Sequence, residues 1–342
     1  MNARAIDAPK LRTLNAYTSM RWHEAAQKLP TIRKEALAVL GCHDENAFLH
    51  YCQNRVATVV FLAGAGSRWV ESVRLSQRTD IDPEKPRCLA PIADIDNPEK
   101  QIPIGTYNLR AIQGIGQTHI VWRTHLSEIS DMADNSGIIN PNFSEQIVPP
   151  GFSSPMGHGD ALRQIFPKFG DQIKFVVTVF GGDVTSRETI LSSLMVMAAM
   201  QKLGRKQLPW GILPTTLIDN PVYFIEVDDK GLPTRFGHNK LLAGAGQVDR
   251  AQCNVGLRLY LKDAIAPIIQ EYAGTFDAEK GYQIAGNQGN EFALDNIDTR
   301  LAAEHRLRGL CIARPEEITP VKNVLGLDAF LAAQRSLRLA GR

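Results

Sequence analysis

The chain has 342 residues, and its 38 Lys and Arg against 36 Asp and Glu leave a formal net charge of +2 at pH 7. A chain of this length can form two domains, or one large α/β domain with an appendage, around a sizeable core. The near-neutral charge argues against nucleic acid as a partner, because binding to a polyanion needs a basic surface. The most apolar stretch, near Leu191–Met200, is too short to span a bilayer, and the first residues lack the apolar run of a secretory signal. We therefore expect a cytoplasmic protein with no membrane partner.

The sequence falls into three parts that differ in pattern: a helical N-terminal extension, a mixed α/β domain and a C-terminal tail, over residues 1–55, 56–330 and 331–342. In the extension, helix-like stretches at 19–29 and 31–40 are separated by Pro30, which predicts a helical hairpin. Burying a large apolar side chain contributes roughly 1.5–3 kcal/mol, and the extension carries many such side chains, Trp22 and Phe48 among them. We therefore expect the extension to pack on the domain or on another subunit. In the second case the protein would be a homo-oligomer.

After residue 55, short apolar runs rich in β-branched residues alternate with stretches of helical spacing. The runs expected to form buried strands are Val56–Leu62, His119–Trp122, Lys174–Phe180 and Val255–Leu261. The helical stretches are Thr106–Gln117, Ala264–Tyr272 and Glu291–His305. Such alternation predicts a mainly parallel sheet that is covered by helices on both faces. Val222–Val227 and Leu232–Phe236 flank a turn of sequence DDKG and predict a β-hairpin.

A glycine-rich turn follows the first predicted strand directly. It reads Leu62-Ala63-Gly64-Ala65-Gly66-Ser67-Arg68. Glycines at such a position let the backbone come close to a ligand and direct its N–H groups at phosphate oxygens, and Arg68 adds a charge that can contact phosphate through two N–H groups. A plain strand-to-helix turn explains the same glycines. A dinucleotide-binding loop is excluded, because Trp69 stands where that loop needs its third glycine. A P-loop is excluded as well, because no Gly-Lys-Ser/Thr closes the turn.

The next segment gives this turn a more specific interpretation. It reads Lys85-Pro86-Arg87-Cys88-Leu89-Ala90-Pro91-Ile92. A G-x-G-S-R turn followed by K-P-x-x-L-x-P-I resembles the nucleotide-sugar pyrophosphorylases (sugar-1-phosphate nucleotidyltransferases), and in motif most of all the UDP-N-acetylglucosamine and UDP-sugar pyrophosphorylases. The resemblance implies a GT-A-like (Rossmann-like) α/β fold with a mixed, mainly parallel sheet flanked by helices. It also implies that the glycine-rich turn, Arg68 and Lys85 hold the nucleotide triphosphate.

A second segment of the resemblance concerns the nucleotide base. Residues 155–161 read PMGHGDA and are similar to the P-x-G-H-G-D segment that lies against the base in UDP-sugar pyrophosphorylases. This similarity implies that the nucleotide is bound by Gly157, His158, Gly159 and Asp160. The bacterial uridylyltransferases also read uracil with a glutamine several residues earlier. Counting back from Gly157 leads to Phe152, so the glutamine is missing at the expected place.

Two further segments imply a magnesium site. Residues 180–184 (FGGDV) are similar to a strand end whose aspartate binds Mg²⁺ in the family, and residues 253–257 (CNVGL) are similar to a segment whose asparagine is a second metal ligand. Asp183 and Asn254 are therefore implied as ligands of a Mg²⁺ cofactor, a cation that takes few protein oxygens besides phosphate and water. Simpler roles stay open here: Asp183 as a cap of the following helix, and Asn254 as a partner of the backbone.

The resemblance as a whole covers about residues 58–323 and implies a Mg²⁺-dependent nucleotidyltransferase. A sugar-1-phosphate would attack the α-phosphorus of an NTP, most simply UTP, to give an NDP-sugar and pyrophosphate. Arg68 and Lys85 would be the catalytic cations, while Lys240 and Asn254 would contact the sugar phosphate. The alternatives are a cytidylyltransferase acting on another phosphorylated or phosphonate metabolite, and a catalytically silent binding or regulatory relative of the fold.

Overall fold

The computed structural model describes residues 22–63, 67–76, 79–204, 209–219, 221, 223–228, 232–238, 248–285, 289–318 and 326–340. The N-terminal part consists of helices α1 (Trp22–Leu40) and α2 (Glu45–Cys52). The later helices are α3 (Ser67–Ser76), α4 (Gly105–Ile112), α5 (Leu126–Asn135), α6 (His158–Ile165), α7 (Arg187–Lys202), α8 (Lys262–Ala273), α9 (Leu294–Ala303) and α10 (Gly326–Ala340).

The strands in chain order are β1 (Val56–Phe61), β2 (Pro91–Ala93), β3 (Gln101–Pro103), β4 (Gln117–Trp122), β5 (Asn142–Glu145), β6 (Phe175–Phe180), β7 (Gly211–Asp219), β8 (Tyr223–Val227), β9 (Pro233–His238), β10 (Arg250–Asn254), β11 (Leu257–Leu261), β12 (Phe276–Asp277), β13 (Gly281–Tyr282) and β14 (Leu307–Cys311). The main sheet has ten strands in the order β5-β4-β1-β6-β11-β7-β10-β8-β9, with β14 paired to β7. Strands β5, β4, β1 and β6 are mutually parallel and β14 is parallel to β7, whereas β11 and β10 run antiparallel to their neighbours. This is the expected mixed α/β architecture with a mainly parallel sheet.

Strand β1 shows why the buried runs are mainly apolar. All six of its residues are buried. Val56 and Val60 pack in one hydrophobic cluster, with α1, α4 and α7, while Ala57 and Val59 pack in the opposite one, with α6, α8 and α9. Because successive side chains of a strand point to opposite faces, a strand covered by helices on both faces buries nearly every side chain in apolar surroundings. The one polar residue of β1, Thr58, satisfies its hydroxyl by donating to the carbonyl of Ile115 at 2.7 Å.

The helical hairpin predicted in the extension is wrong, because α1 runs through Pro30 as one helix. Proline inside a helix removes a backbone hydrogen bond and costs about 3 kcal/mol. Leu29, Ile32, Ala36 and Leu40 repeat at helical spacing on both sides of Pro30, and all four are buried in the cluster that α7 shares. Their burial outweighs the cost of the proline, and it packs the extension on the α/β domain.

The helix predicted over 106–117 ends early, at Ile112. Gly114 and Gly116 follow it with φ of +74° and +65°, which lie in the left-handed region that favours glycine. A Cβ built on Gly116 would lie 2.3 Å from the Val56 carbonyl oxygen, so the chain passes very close to β1 at this point. These two glycines turn the chain, and β4 begins directly after them.

The predicted tail at 331–342 begins inside a helix, because α10 continues through Ala340. Leu327 and Phe330 of α10 are buried in a third cluster together with Trp69 of α3. The C-terminal helix therefore belongs to the packed structure. No helix in the ranges given above is both long enough and apolar enough to cross a bilayer.

Replacing Phe48 tests whether the extension is part of the core. Phe48 is fully buried, and truncation of a buried phenylalanine costs about 3–5 kcal/mol. We expect Phe48→Ala to lower the free energy of unfolding in urea by about that amount, whereas Leu339→Ala, at a side chain that is 70% exposed, should change it by less than about 0.5 kcal/mol. Equal stability of the two variants would contradict the packing.

Candidate active site

The carboxyl ends of the parallel strands meet at one edge of the sheet. Just beyond β6, the N–H of Gly181 donates to the carbonyl of Phe61 at 3.1 Å. On the other side of β1, the N–H of Leu62 donates to the carbonyl of Val121 in β4 at 2.8 Å. The β10–β11 corner reaches the same edge, because β11 begins there antiparallel to β6. Ligands of open α/β sheets bind beyond this edge.

Asp183 lies in a corner where the main chain approaches so closely that only glycine fits. Gly256 has a φ of +75°, and a Cβ built on it would lie 2.3 Å from Asp183 Oδ2. Asn108 of α4 fixes the loop, because its Nδ2 donates to the carbonyls of Asp183 at 2.6 Å and of Phe180 at 2.9 Å. The N-cap of α7 is Ser186, so the carboxylate of Asp183 is not the cap of that helix.

Asn254 holds this corner through its amide group. Its Oδ1 accepts from the N–H of Gly256 at 2.9 Å, and its Nδ2 donates to the carbonyls of Leu257 at 2.9 Å and Pro214 at 3.2 Å. The side chain therefore fixes the turn that brings Gly256 against Asp183. The amide oxygen has a second lone pair, and the two residues implied as metal ligands lie next to the same glycine.

The structure adds a cation that the sequence analysis does not single out. The guanidinium of Arg87 covers Gly182, because a Cβ built on that glycine would lie 1.9 Å from Arg87 Nη2. The segment is tied to the end of β1, since Cys88 Sγ donates to the carbonyl of Leu62 at 3.5 Å. Arg87 belongs to the same KPRCLAPI segment as Lys85. The segment is therefore the sequence feature that could have identified Arg87.

Lys85 lies beside a carboxylate of α5. Its side chain is 41% exposed, and its Nζ lies 3.7 Å from Glu128 Oε1 of α5. Hydrogen bonds from the N–H of Glu128 itself, from Ser127 and from His125 lower the pKa of Glu128 to about 2, so this carboxylate is charged at neutral pH. Lys85 thus faces a carboxylate, and its contact with phosphate stays a prediction.

An open cleft of about 870 Å³ lies beside the ends of β1, β4 and β5, next to α3 and the start of α6. Its lining residues are Phe61, Ala63, Val70, Glu71, Arg74, Leu75, Arg123, Gln146, Ser154, Pro155, Gly157, His158 and Glu291. Of the residues implied to bind nucleotide, Ala63, Gly157 and His158 line this cleft, and Leu62 is buried behind it. The volume is in the range of pockets for small organic ligands.

Gly157 and Gly159 pack so closely against Phe292 that a larger residue at either position would clash with it. A Cβ built on Gly157, which has a φ of +92°, would lie 2.5 Å from the Phe292 carbonyl oxygen, and one on Gly159 would lie 2.7 Å from the Phe292 ring. Asp160 is buried, and its carboxylate accepts hydrogen bonds from three side chains: Arg163, Gln164 and Tyr282. Asp160 therefore anchors α6 from the interior, while Gly157 and His158 face the cleft.

His158 is open to the cleft on one side and enclosed by aromatic rings on the other. Its ring packs edge-on against Phe61 and Phe180, at centroid distances of 5.5 and 4.5 Å. This enclosure by protein, together with the positive charges of Arg258 and Arg87, lowers the pKa of His158 to about 4. The imidazole is therefore uncharged at pH 7 and can donate or accept a hydrogen bond beside the cleft.

Gln146 lines the cleft, and its position there is not predicted from the sequence. It follows β5 directly, and its N–H donates to the carbonyl of Trp122 at 2.7 Å. Its Nε2 donates to the carbonyl of Gly157 at 3.0 Å, and this contact orients the amide so that Oε1 is the remaining acceptor. A search farther upstream of Gly157 would find Gln146, but a single sequence does not fix the length of that loop.

Several predicted residues cannot be placed relative to the cleft. Gly64, Ala65, Gly66 and Lys240 lie outside the described residues. Ser67 and Arg68 begin α3, directly after the glycine-rich turn. The contacts expected of these residues with phosphate stay predictions.

The Asp183 corner fits a divalent cation that is shared with a phosphate ligand. Over the ranges that the structure describes, no group of three or more His, Cys, Asp or Glu could hold a metal by itself. Mg²⁺ commonly uses one or two protein oxygens and completes its shell with phosphates and waters. Asp183, which is partly exposed, offers a carboxylate oxygen, and Asn254 offers an amide oxygen.

Comparison with known proteins supports the fold. A scan against models of protein families and a search of curated proteins both find no match. Among solved structures, a protein described as a UDP-N-acetylglucosamine pyrophosphorylase from Entamoeba histolytica is 12% identical, with 81% of this chain and 78% of that one covered and a TM-score of 0.51. The nucleoside-diphosphate-sugar pyrophosphorylase from Vibrio cholerae RC9 is also 12% identical, with 81% and 99% covered and a TM-score of 0.51. At this identity the likeness shows the α/β fold and not the reaction.

The pKa of His158 can be measured by NMR titration of the imidazole protons, with His158→Gln to assign the signal. We expect a value near 4 in the folded protein, below the ordinary 6.5. Because the folded state then binds the proton less readily than the unfolded state, the contribution of His158 to stability is complete above pH 6.5 and is lost as the pH falls from 6.5 to 4. A measured pKa near 6.5 would contradict the enclosure of the ring by Phe61 and Phe180.

Proposed function

We propose that the protein is a Mg²⁺-dependent nucleotidyltransferase that couples an NTP, preferably UTP, to a sugar-1-phosphate. The proposal rests on one observation, the convergence of Arg87, Asp183 and a cleft lined by His158 and Gln146 at the carboxyl edge of the sheet. The fold shared with two solved pyrophosphorylases supports the proposal.

The proposed reaction is a displacement at phosphorus. An oxygen of the sugar phosphate forms a bond to the α-phosphorus while the bond from that phosphorus to the pyrophosphate oxygen breaks, and the electron pair leaves with pyrophosphate. No side-chain nucleophile is required. Holding two anions in line and neutralising their mutual repulsion does most of the catalysis.

Arg87 is the described cation best placed for the phosphates. Its guanidinium lies on Gly182, next to Asp183, and its segment is tied to Leu62, which precedes the glycine-rich turn. A planar guanidinium can bind phosphate through two parallel N–H···O bonds. Lys85 would reach the phosphates by leaving Glu128, and such an exposed ion pair costs little to break. Arg68, at the start of α3, would add a third positive charge.

Asp183 and Asn254 would hold the Mg²⁺, which when bound supplies positive charge against the phosphates. The corner around them is held from two sides. Asn254 fixes the backbone of Gly256, and Asn108 fixes the carbonyl of Asp183. The carboxylate therefore keeps a defined position at the carboxyl edge before any ligand arrives, which is the preorganisation that electrostatic catalysis needs. Lys240 would contact the sugar phosphate.

The cleft would take the nucleoside. Gln146 is held by Gly157, so its Oε1 can accept a hydrogen bond from the N3–H of uracil. Cytosine has no proton at N3 and would present an acceptor to the same oxygen. The orientation of Gln146 therefore favours UTP over CTP, and the uncharged His158 offers a further polar contact beside the base.

The proposed function can be tested by incubating the full chain with Mg²⁺, each NTP in turn and a panel of sugar-1-phosphates, and measuring pyrophosphate release. We expect release that depends on a sugar-1-phosphate and is faster with UTP than with CTP. Failure to release pyrophosphate from any pair would contradict the proposed function. Release with CTP and a non-sugar acceptor alone would contradict the proposed substrates.

The two cations of the KPRCLAPI segment should differ in importance. We expect Arg87→Gln to lower kcat/KM for the NTP by about 100-fold, the size of effect seen when one donor to a developing negative charge is removed. Lys85→Gln should lower it less, because Lys85 faces Glu128 in the folded chain. Arg300→Gln, on the exposed surface of α9, is the matched control and should leave kcat/KM unchanged. A larger loss in Lys85→Gln than in Arg87→Gln would contradict the ranking.

Gly256→Ala tests whether the position of Asp183 matters for turnover. Gly114→Ala is the matched control, because Gly114 has a similar φ of +74° and a Cβ there would meet nothing within 4 Å. Both alanines should lower the free energy of unfolding by about 1–2 kcal/mol, the cost of a left-handed backbone. Only Gly256→Ala should also lower turnover, by about 100-fold, because its Cβ displaces the carboxylate. Equal turnover of the two variants would remove Asp183 from the proposed site.

A further inference from the structure

A second cavity, of about 530 Å³, lies where α1, α4, α10 and the chain that follows Asp183 come together. It shares no lining residue with the cleft. Five of its lining residues are arginines from different parts of the chain: Arg33, Arg110, Arg187, Arg314 and Arg338. So many guanidinium groups around one cavity are typical of a site for an anion with several acceptor oxygens.

The carboxylates that line the cavity are too few to neutralise the positive charge of its arginines. The lining contains three of them, and each bridges two arginines: Glu45 with Arg33 and Arg187, Glu188 with Arg33 and Arg314, and Asp96 with Arg110 and Arg338. Arg110 is also bound to the buried Asp94 by two hydrogen bonds, at 3.2 and 3.0 Å. Without Arg110, four arginines still share three carboxylates, and each guanidinium has five N–H donors.

The N-terminus of α7 is not evidence for a ligand, because the carboxylate of the buried Glu317 already accepts a hydrogen bond from the N–H of Ser186 at 3.0 Å. Two polar side chains that line the cavity are evidence for a ligand. The hydroxyl of Thr185, a residue only 3% exposed, has no hydrogen-bond partner within the described part of the chain, and neither has Nε2 of Gln334 in α10. Buried polar groups are nearly always hydrogen-bonded in folded proteins.

We propose that this cavity binds a small phosphorylated metabolite. Phosphate matches the arginines in charge and in geometry, and it accepts the hydrogen bonds that Thr185 and Gln334 can donate. Ile95 and Leu337 leave an apolar wall for the organic part of the ligand. The occupant would contact the chain two residues beyond Asp183, so the site is separate from the cleft but adjoins the Asp183 loop.

The proposal can be tested on the full chain with inorganic phosphate as the probe. The apparent Kd for phosphate is obtained from the rise of Tm with phosphate concentration at constant ionic strength. Arg338→Gln removes one cation at the end of α10, and Thr185→Val removes a hydroxyl that has no partner, so neither variant breaks the core. Arg300→Gln is the control for a lost surface arginine, and Arg87→Gln removes the cation proposed for the phosphates at Gly182, outside this cavity.

We expect Arg338→Gln and Thr185→Val each to raise the apparent Kd for phosphate about tenfold, the loss of one contact worth about 1.4 kcal/mol. Arg300→Gln and Arg87→Gln should keep the Kd of the unmodified chain. Unchanged Kd values in both cavity variants, or a loss confined to Arg87→Gln, would overturn the proposal. Because the readout is phosphate binding and not turnover, its failure would leave the proposed function standing.

Discussion

Three close approaches of the main chain determine the geometry at the carboxyl edge of the sheet. Cβ atoms built on Gly181, Gly182 and Gly256 would lie 2.2 Å from a methyl group of Leu62, 1.9 Å from Arg87 Nη2 and 2.3 Å from Asp183 Oδ2. A side chain at any of these positions would displace Leu62, Arg87 or Asp183. The ends of β1 and β6 and the β10–β11 corner can therefore meet, and a guanidinium and a carboxylate from distant parts of the chain come together.

The rest of the fold supports this edge from both faces of the sheet. On one face, α1, α4 and α7 share a hydrophobic cluster, and Asn108 of α4 reaches from there to the Asp183 loop. On the other face, α6 packs through its glycines against Phe292, which turns Gly157 and His158 toward the cleft. The edge has thus one region that combines a carboxylate with an arginine and one that offers room for a base. In the proposed function, these two regions would take the phosphates and the base of one nucleotide.

Sequence patterns predicted those parts of the fold that depend on local composition. The predicted runs Val56–Leu62 and Lys174–Phe180 match the central strands to within one residue, and the β8–β9 hairpin is confirmed. Strand β7 was not predicted, because Pro214 interrupts its apolar run and pairing with β11, β10 and β14 is what holds it in the sheet. Tertiary burial also overrode Pro30 in α1.

The candidate site divides in the same way. Asp183 and His158 were implied by the resemblance of their glycine-containing segments to a known family, whereas Arg87 and Gln146 were not, because tertiary contacts decide which side chains of their loops face the edge. The hydrogen bond from Cys88 to Leu62 turns Arg87, and not Lys85, toward Gly182. The bond from Gln146 to Gly157 joins residues that are 11 positions apart. Neither contact leaves a pattern in one sequence.

The proposed function requires metal and nucleotide to bind together at the Asp183 corner. The most direct measurement is the affinity for UTP of the unmodified chain and of Asp183→Asn, each with Mg²⁺ and with a chelator. Asparagine keeps the size of the side chain and removes its charge, so we expect about tenfold weaker binding or more in the presence of Mg²⁺ and no difference in the chelator. Equal losses of UTP affinity under both conditions would contradict this account of the site.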